Sequence, residues 1–372
     1  MIDLIYCGSA LDPSGYGSAN RADIVALYLS GVNIATQTVQ QTLATTTYGW
    51  QGELVRHLER PLEKAKIKII HLTPDLYPKY LEDKKYHIGR LAWETDKLPE
   101  AWIEPCNKMQ EIWTMTERQK EVIKASGVTS PIHVFSEPLD VVPLEKEIEP
   151  WQIPSFTGNI FYSVFQWIER KDPWSLLTTY WKTFEGKEDV VLILKTYKTA
   201  YTDSDFNKIK EDIERWKKGL KLRHYPRVLL VKDLWTMDKI WKLHKIRGTF
   251  VTTSHGEGWQ RPAVEAMLME NPVISIDKTG FADVLPKDLF YPISCAEAPV
   301  IPQSTIPWYT QNQSWFNIST QGLAEAMLTC YNNSKEAREK GMKSSQFIKD
   351  QFNYHTVGFQ MANRLTEISR FL

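Results

Sequence analysis

In this 372-residue chain, two glutamates and one pair of adjacent cations have the types and spacing to do chemistry. Glu257 and Glu265 both lie in Gly256-Glu257-Gly258-Trp259-Gln260-Arg261-Pro262-Ala263-Val264-Glu265-Ala266-Met267. Carboxylates only accept hydrogen bonds, so such a pair suits a ligand rich in hydroxyl groups. On spacing alone the two acids equally describe a solvated helix face. Their context favours a site: Gly256 and Gly258 allow close backbone approach, and a helix starting at Pro262 aims unpaired N–H groups at whatever binds there. Gln260 and the N–H groups of Gly258 and Trp259 belong to the same loop. The second feature is Arg170-Lys171, a guanidinium fork beside an ammonium point charge, which suits a departing phosphate. Two neighbouring surface cations would otherwise be unremarked.

The elements around these residues read as a parallel α/β sheet. A strand over Thr249–Ser254 leads into the acid loop; after the helix come Asn271-Pro272 as a stop, a strand over Val273–Ile276, and a loop from Asp277 to Asp283 containing Gly280. Arg170-Lys171 follow a strand over Asn159–Phe165, and Lys195 ends another over Val190–Leu194. Val228–Lys232 is a further strand, followed by Asp233-Leu234-Trp235. Earlier in the chain, residues 1–7 form a strand, and a loop from Gly8 to Gly17 precedes a helix expected near Ser18, with Asn20 and Arg21 at its start. Strands follow at Lys66–His71, Tyr86–Trp93, Glu111–Thr114 and Pro131–Phe135. Ligands of open α/β sheets bind beyond the carboxyl ends of strands, which nominates His71, Asp75, Glu94, Asp96, Thr116 and Glu137. His71 reads equally as a hydrogen-bonded core histidine, and Trp93 as a packing residue. Residues 143–157, with Pro143, Glu145, Lys146, Glu147, Glu149, Pro150 and Pro154, suit a linker. Residues 298–308 read as Pro-rich irregular chain, ahead of helices at about 320–331 and 335–351 and an amphipathic stretch at 357–365. Asp203-Ser204-Asp205 imitates a metal-binding Asp-x-Asp but reads as a helix N-cap, so no metal is expected.

Size and charge set bounds. The length fits two domains of Rossmann size, here 1–150 and 151–354. Net charge is zero, but residues 1–150 carry 16 Lys+Arg against 21 Asp+Glu, which leaves 29 against 24 for the rest. The second part is therefore the better anion binder, and the acidic first part argues against extensive nucleic-acid contact, although Lys79, Lys84 and Lys85 could make a local basic patch. The four cysteines are widely spaced and suggest neither zinc nor disulfides, as in a reducing cytoplasm. No apolar run approaches the ~18 residues of a transmembrane helix. The 14 Trp and 16 Tyr suit sugar stacking and core packing alike.

Glu257-Gly258 through Pro262, Glu265-Ala266-Met267 and Asn271-Pro272-Val273-Ile274 resemble the signature of glycosyltransferase family 4, retaining enzymes of the GT-B fold. The resemblance spans nearly the whole chain, is strongest over 158–285, and through Trp93–Pro99 with Asn107 points to a bacterial or phage-type branch. It implies two Rossmann-like parallel-sheet domains facing across a cleft, with a carboxyl-terminal helix, here at about 355–372, crossing back to the first. It implies sugar transfer from a nucleotide-diphosphate sugar, a UDP-sugar being favoured, with no cofactor. The implied catalytic residues are Glu257, Lys171 and Arg170. The implied donor contacts are Gly15, Tyr16, Gly17, Lys195, Asp233, Trp235, Gly258, Trp259, Gln260 and Glu265, with Glu265 on the ribose. His71, Asp75, Glu94 and Asp96 become acceptor-side candidates, for a glycan, a lipid, a small molecule or a hydroxymethylated DNA base. The family's arginine five residues before Lys171 is Gln166 here, so Arg170 or Lys195 is the candidate replacement. The rivals are a GT-B epimerase or phosphorylase and a non-catalytic sugar-nucleotide-binding subunit.

Overall fold

The computed structural model describes residues 2–40, 48–141, 147–153, 156–302 and 306–372. Pro143, Glu145, Lys146 and Pro154 of the expected linker lie outside the described residues. The chain divides into two compact units, one of residues 1–142 with 349–372 and one of 143–348.

The first unit runs β1 (Asp3–Gly8), α1 (Gly15–Leu29), β2 (Asn33–Thr38), α2 (Gly49–His57), β3 (Ile67–His71), β4 (Tyr86–Arg90), α3 (Glu100–Asn107), β5 (Glu111–Thr114), α4 (Glu117–Ala125) and β6 (Ile132–Val134). All strand pairs are parallel, in the order β2-β1-β3-β4-β5-β6. The order reverses at β1, so the crevice of this sheet lies beyond the ends of β1 and β3, beside His71.

The second unit runs β7 (Asn159–Gln166), α5 (Pro173–Thr183), β8 (Val190–Tyr197), α6 (Asp203–Leu220), β9 (Arg227–Val231), α7 (Met237–His244), β10 (Thr249–Val251), α8 (Arg261–Leu268), β11 (Val273–Ile276), β12 (Tyr291–Ile293), β13 (Cys295–Pro299), β14 (Ser314–Ile318), α9 (Thr320–Asn332) and most of α10 (Ser334–Gln351). Its main sheet is again parallel, ordered β12-β11-β10-β7-β8-β9. Val190 through Lys195 of β8 are buried, as expected of a parallel strand covered on both faces. Leu176, Leu177, Tyr180, Trp181 and Phe184 of the α5 segment pack on it, each such buried side chain contributing roughly 2–3 kcal/mol.

Helix α11 (Tyr354–Ser369) returns to the first unit. Val357, Met361, Leu365 and Ile368, at helical spacing, enter that unit's core beside Ile24, Val25 and Leu27 of α1. A Cβ on Gly358 would sit 2.3 Å from the carbonyl oxygen of Ala26, so glycine sets how closely the two helices approach.

Four local expectations are corrected. Helix α1 begins at Gly15 because the Ser14 side chain accepts from the Gly17 N–H (3.0 Å), which puts Gly15, Tyr16 and Gly17 in its first turn. The strand before the acid loop stops at Val251, because the hydroxyls of Thr252, Thr253 and Ser254 are taken up in loop hydrogen bonds. Asp203 does not cap α6; Thr202 does, while Asp205 accepts the N–H groups of Thr199 and Ala200 at 2.7 and 2.6 Å. Part of the 298–308 stretch is strand, since Cys295–Pro299 pairs antiparallel with Ser314–Ile318. Among the described residues no helix is long and apolar enough to cross a membrane.

Candidate active site

In the second unit the strand order reverses at β7, whose neighbours are β10 and β8. The loops leaving β7 and β10 therefore flank one crevice, and they carry Arg170-Lys171 and Glu257 respectively. Residues placed 86 positions apart meet there. Arg170 Nη1 lies 3.1 Å from Glu257 Oε2 and donates to the Gly256 carbonyl at 2.6 Å. Lys171 Nζ pairs with Glu257 Oε1, which also accepts from the Ser254 hydroxyl. Burial pushes the Glu257 carboxyl up, but the charges of Lys171 and Arg170 and the hydrogen bonds from Lys171 and Ser254 prevail, holding it at about 2. With two cations on one carboxylate, the cluster keeps a net charge of +1.

The loop is braced on several sides. Thr253 Oγ1 donates to the carbonyls of Lys171 and Asp172 at 3.1 and 2.9 Å, and the His255 N–H to that of Arg170 at 2.8 Å. His255 stacks on Trp315 of β14 (4.6 Å, 20°) and bonds the Phe316 backbone through its own carbonyl and Nδ1. Gln260 takes a left-handed φ of 72° ahead of α8, its side chain bonded to Thr252. Gly258 and Trp259 are buried, and the Trp259 carbonyl accepts from Phe281 N–H at 3.1 Å. Gly280, at φ 57°, is the contact from the other side: a Cβ there would lie 2.9 Å from the Trp259 carbonyl and 3.1 Å from Glu257 Cβ. Gly280→Ala should therefore cost about 1–2 kcal/mol and displace the acid loop, so that melting temperature and any turnover fall together; unchanged values for both would disprove the bracing.

Glu265, one turn into α8, is buried, with Arg261 Nη1 and His244 Nε2 each 3.7 Å from its carboxylate and no hydrogen bond to that carboxylate among the described residues. Gln166 is tied down, its Nε2 donating to the Lys198 carbonyl at 2.9 Å. Lys195, at the end of β8, is only 5% exposed. Its ammonium sits 4.9 Å above the Tyr201 ring and 5.9 Å above Trp235, with no hydrogen bond or ion pair among the described residues. Burial lowers its pKa to about 8, against the raising effect of Asp233. Asp233 is exposed, whereas Trp235 is half-buried against Trp151.

In the first unit His71 is buried, Nδ1 2.7 Å from the Tyr6 hydroxyl, which donates to Asp23 at 3.0 Å. Arg90 Nε donates to the same Asp23 oxygen at 3.0 Å. Burial, reinforced by the Arg90 charge, drives the His71 pKa well below the usual value, so the ring is neutral. Tyr16 lies edge-on to His71 (5.5 Å). Asn20 donates to the His71 and Tyr16 carbonyls, and Arg21 to those of Ala10 and Asp12, so both donor groups serve the fold. Asp75 is half-buried just past β3, with Oδ1 lacking a hydrogen-bond partner among the described residues. Glu94 and Asp96 are half-buried in the loop after β4.

Reasoning from sequence missed Ser254, His255, the β13–β14 hairpin and His244. Hydroxyls at 252–254 were the available signal for the first; the rest act through contacts far apart in the chain.

No protein family and no curated sequence matches the chain. Solved structures do. A sucrose-phosphate synthase from Thermosynechococcus elongatus gives a TM-score of 0.71 at 12% identity, covering 100% of both chains. An E. coli structure described as trehalose-6-phosphate bound with UDP-2-fluoro glucose gives 0.66 at 11% identity over 98% of each. S. aureus TarM, in complex with fondaparinux, alpha-GlcNAc-glycerol and UDP, gives 0.60 at 17% identity over 83% of this chain and 57% of its own. At such identities the likeness speaks to architecture: the chain has the GT-B α/β fold, two Rossmann-like units each built on a six-stranded parallel sheet.

Proposed function

We propose that the chain is a retaining glycosyltransferase of the family 4 type, moving a sugar from a nucleotide-diphosphate sugar to an acceptor hydroxyl. The observation that carries this is the Arg170–Lys171–Glu257 cluster at the reversal of the second sheet, with the buried carboxylate of Glu265 on the helix that follows the Glu257 loop. Arg170, Lys171 and Lys195 supply cationic charge for a diphosphate, and the positive end of the α8 dipole adds to it. Glu257, with the Gly258 and Trp259 N–H groups, takes sugar hydroxyls, and Glu265 takes the ribose. Gln260, Asp233 and Trp235 complete the donor contacts, the last two on the base. UDP is the favoured nucleotide, in line with the UDP and the UDP-sugar analogue in two of the similar structures.

In the step itself the bond between the anomeric carbon and the leaving phosphate oxygen breaks, and the acceptor oxygen bonds to that carbon from the same face. The acceptor proton passes to the leaving phosphate, so neither a protein nucleophile nor a metal is required. His71, Asp75, Glu94 and Asp96 are the acceptor-side candidates, for a glycan, lipid, small molecule or modified DNA base.

Nucleotide release from UDP-, GDP- and ADP-sugars by the wild type and Lys171→Ala tests the reading. Release from one donor, reduced a hundredfold or more in the variant at unchanged melting temperature, is expected. Equal release by both would remove Lys171 from the mechanism. Tight nucleotide binding with no release across a panel of acceptors would instead favour a non-catalytic binding subunit, a reading consistent with Gln166 being bonded to Lys198.

A further inference from the structure

Glu265 is a buried carboxylate in the second turn of α8, 4% exposed, with no hydrogen bond to its carboxylate among the described residues. The group opposite Oε2 is His244 Nε2, at 3.7 Å, itself buried without a hydrogen-bond partner. His244 ends α7 and is fully buried; its other nitrogen, Nδ1, lies 2.9 Å from the hydroxyl of Tyr162, a fully buried residue of β7. The Tyr162 phenol is held protonated, first by burial and then by the negative charge of Glu265. A protonated phenol facing Nδ1 and a carboxylate facing Nε2 select one tautomer: the Tyr162 O–H donates to Nδ1, and the Nε2–H points at Glu265.

The imidazole has little room to turn, with the rings of Tyr162, Trp241 and Phe250 at 5.7, 5.9 and 6.4 Å. Asn271 Nδ2 donates to the carbonyls of His244 (2.6 Å) and Ala266 (3.1 Å), which ties the end of α7 to α8. One rigid donor is thus aimed at one edge of a carboxylate that has no hydrogen bond of its own. At 3.7 Å the contact is too long for a hydrogen bond and closes with a shift of under about 1 Å.

We propose that His244, held by Tyr162, is a positioning residue for Glu265, presenting both carboxylate oxygens to a vicinal diol and so selecting ribonucleoside over deoxyribonucleoside diphosphates. The inference rests on the reading that Glu265 binds the donor ribose. A carboxylate has no donor of its own and receives two neighbouring O–H groups at once, each a charge-assisted hydrogen bond. A ligand lacking those hydroxyls leaves the carboxylate without them.

The test uses the full chain and either UDP or GDP, whichever the wild type binds more tightly, against its 2′,3′-dideoxy counterpart. The wild type should prefer the ribonucleotide by roughly 30-fold or more. Tyr162→Phe and His244→Phe should cut that ratio by about fivefold or more while leaving dideoxynucleotide affinity within about twofold, and His244→Gln, which keeps an N–H, should restore most of it. A purely structural role would lower both affinities together. Tyr162→Phe removes one oxygen and carries the test alone should His244→Phe fail to fold. Glu265→Gln separates the failures: loss of the ratio there, with the ratio intact in Tyr162→Phe and His244→Phe, overturns the role of His244. An unchanged ratio in Glu265→Gln overturns the ribose reading and the proposal with it.

Discussion

Glu257→Gln is expected to lower nucleotide release from the sugar donor by a hundredfold or more while tightening the binding of the free nucleoside diphosphate. The two effects have opposite signs because the carboxylate does two things. It offers acceptor oxygens to sugar hydroxyls, and it offsets the charges of Arg170 and Lys171, so its neutral isostere takes the cluster from +1 to +2. Calorimetric titration with nucleoside diphosphate and a turnover assay measure the two separately, and turnover within a few-fold of wild type would remove Glu257 from the chemistry. Stability carries a third signature. The folded-state pKa of about 2 lies below the ordinary 4.5, so the stabilisation is fully present above about pH 4.5 and is lost as pH falls to about 2. That difference amounts to about 3 kcal/mol, and the acid limb of an unfolding profile should flatten accordingly in Glu257→Gln.

Lys195→Met should stabilise the ligand-free protein at pH 7 by about 2–3 kcal/mol and weaken nucleoside diphosphate binding tenfold or more. A buried ammonium resting on two aromatic rings retains only part of what water gave it, and its pKa of about 8 against an ordinary 10.5 measures the shortfall. The sign follows from proton counting. Below about pH 8 both folded and unfolded chains carry the proton and the penalty is complete; between about 8 and 10.5 the folded state has lost it, so stability climbs with pH. Nucleotide affinity should decline over the pH range in which stability improves, because the deprotonated amine no longer attracts phosphate. Thermal melts and nucleotide titrations from pH 7 to 10 read both, and a melting temperature lowered by Lys195→Met would contradict the argument.

Much of this was legible because it is local. Glycines, a proline at a helix start and apolar runs of strand length mark the acid loop and both sheets within a few residues of the feature itself. The reach of Arg170 and Lys171 to Glu257 was not, since the sequence names the three groups without saying that they pair. Lys195 could be placed at a strand end, but its burial against Tyr201 and Trp235 depends on two further elements. His244 gave no signal: its partners Tyr162 and Glu265 come from β7 and α8, and only folding makes the three a chain. Helix starts shifted where a serine or threonine hydroxyl, rather than the residue nominated, took up the first free N–H groups.

The close fit of Gly358 against Ala26 also bears on how the chain is made. Strands and helices up to residue 142 leave the ribosome first, yet the core they build includes Val357, Met361, Leu365 and Ile368, which emerge only after residues 143–348. The second unit is therefore fully synthesised while the first still lacks the helix that covers α1. The nascent first unit carries an uncovered apolar stripe for the whole of that interval, which is when holdase chaperones would engage it. Docking of this 16-residue helix joins parts of the chain separated by more than two hundred residues, a non-local contact of the kind that slows folding.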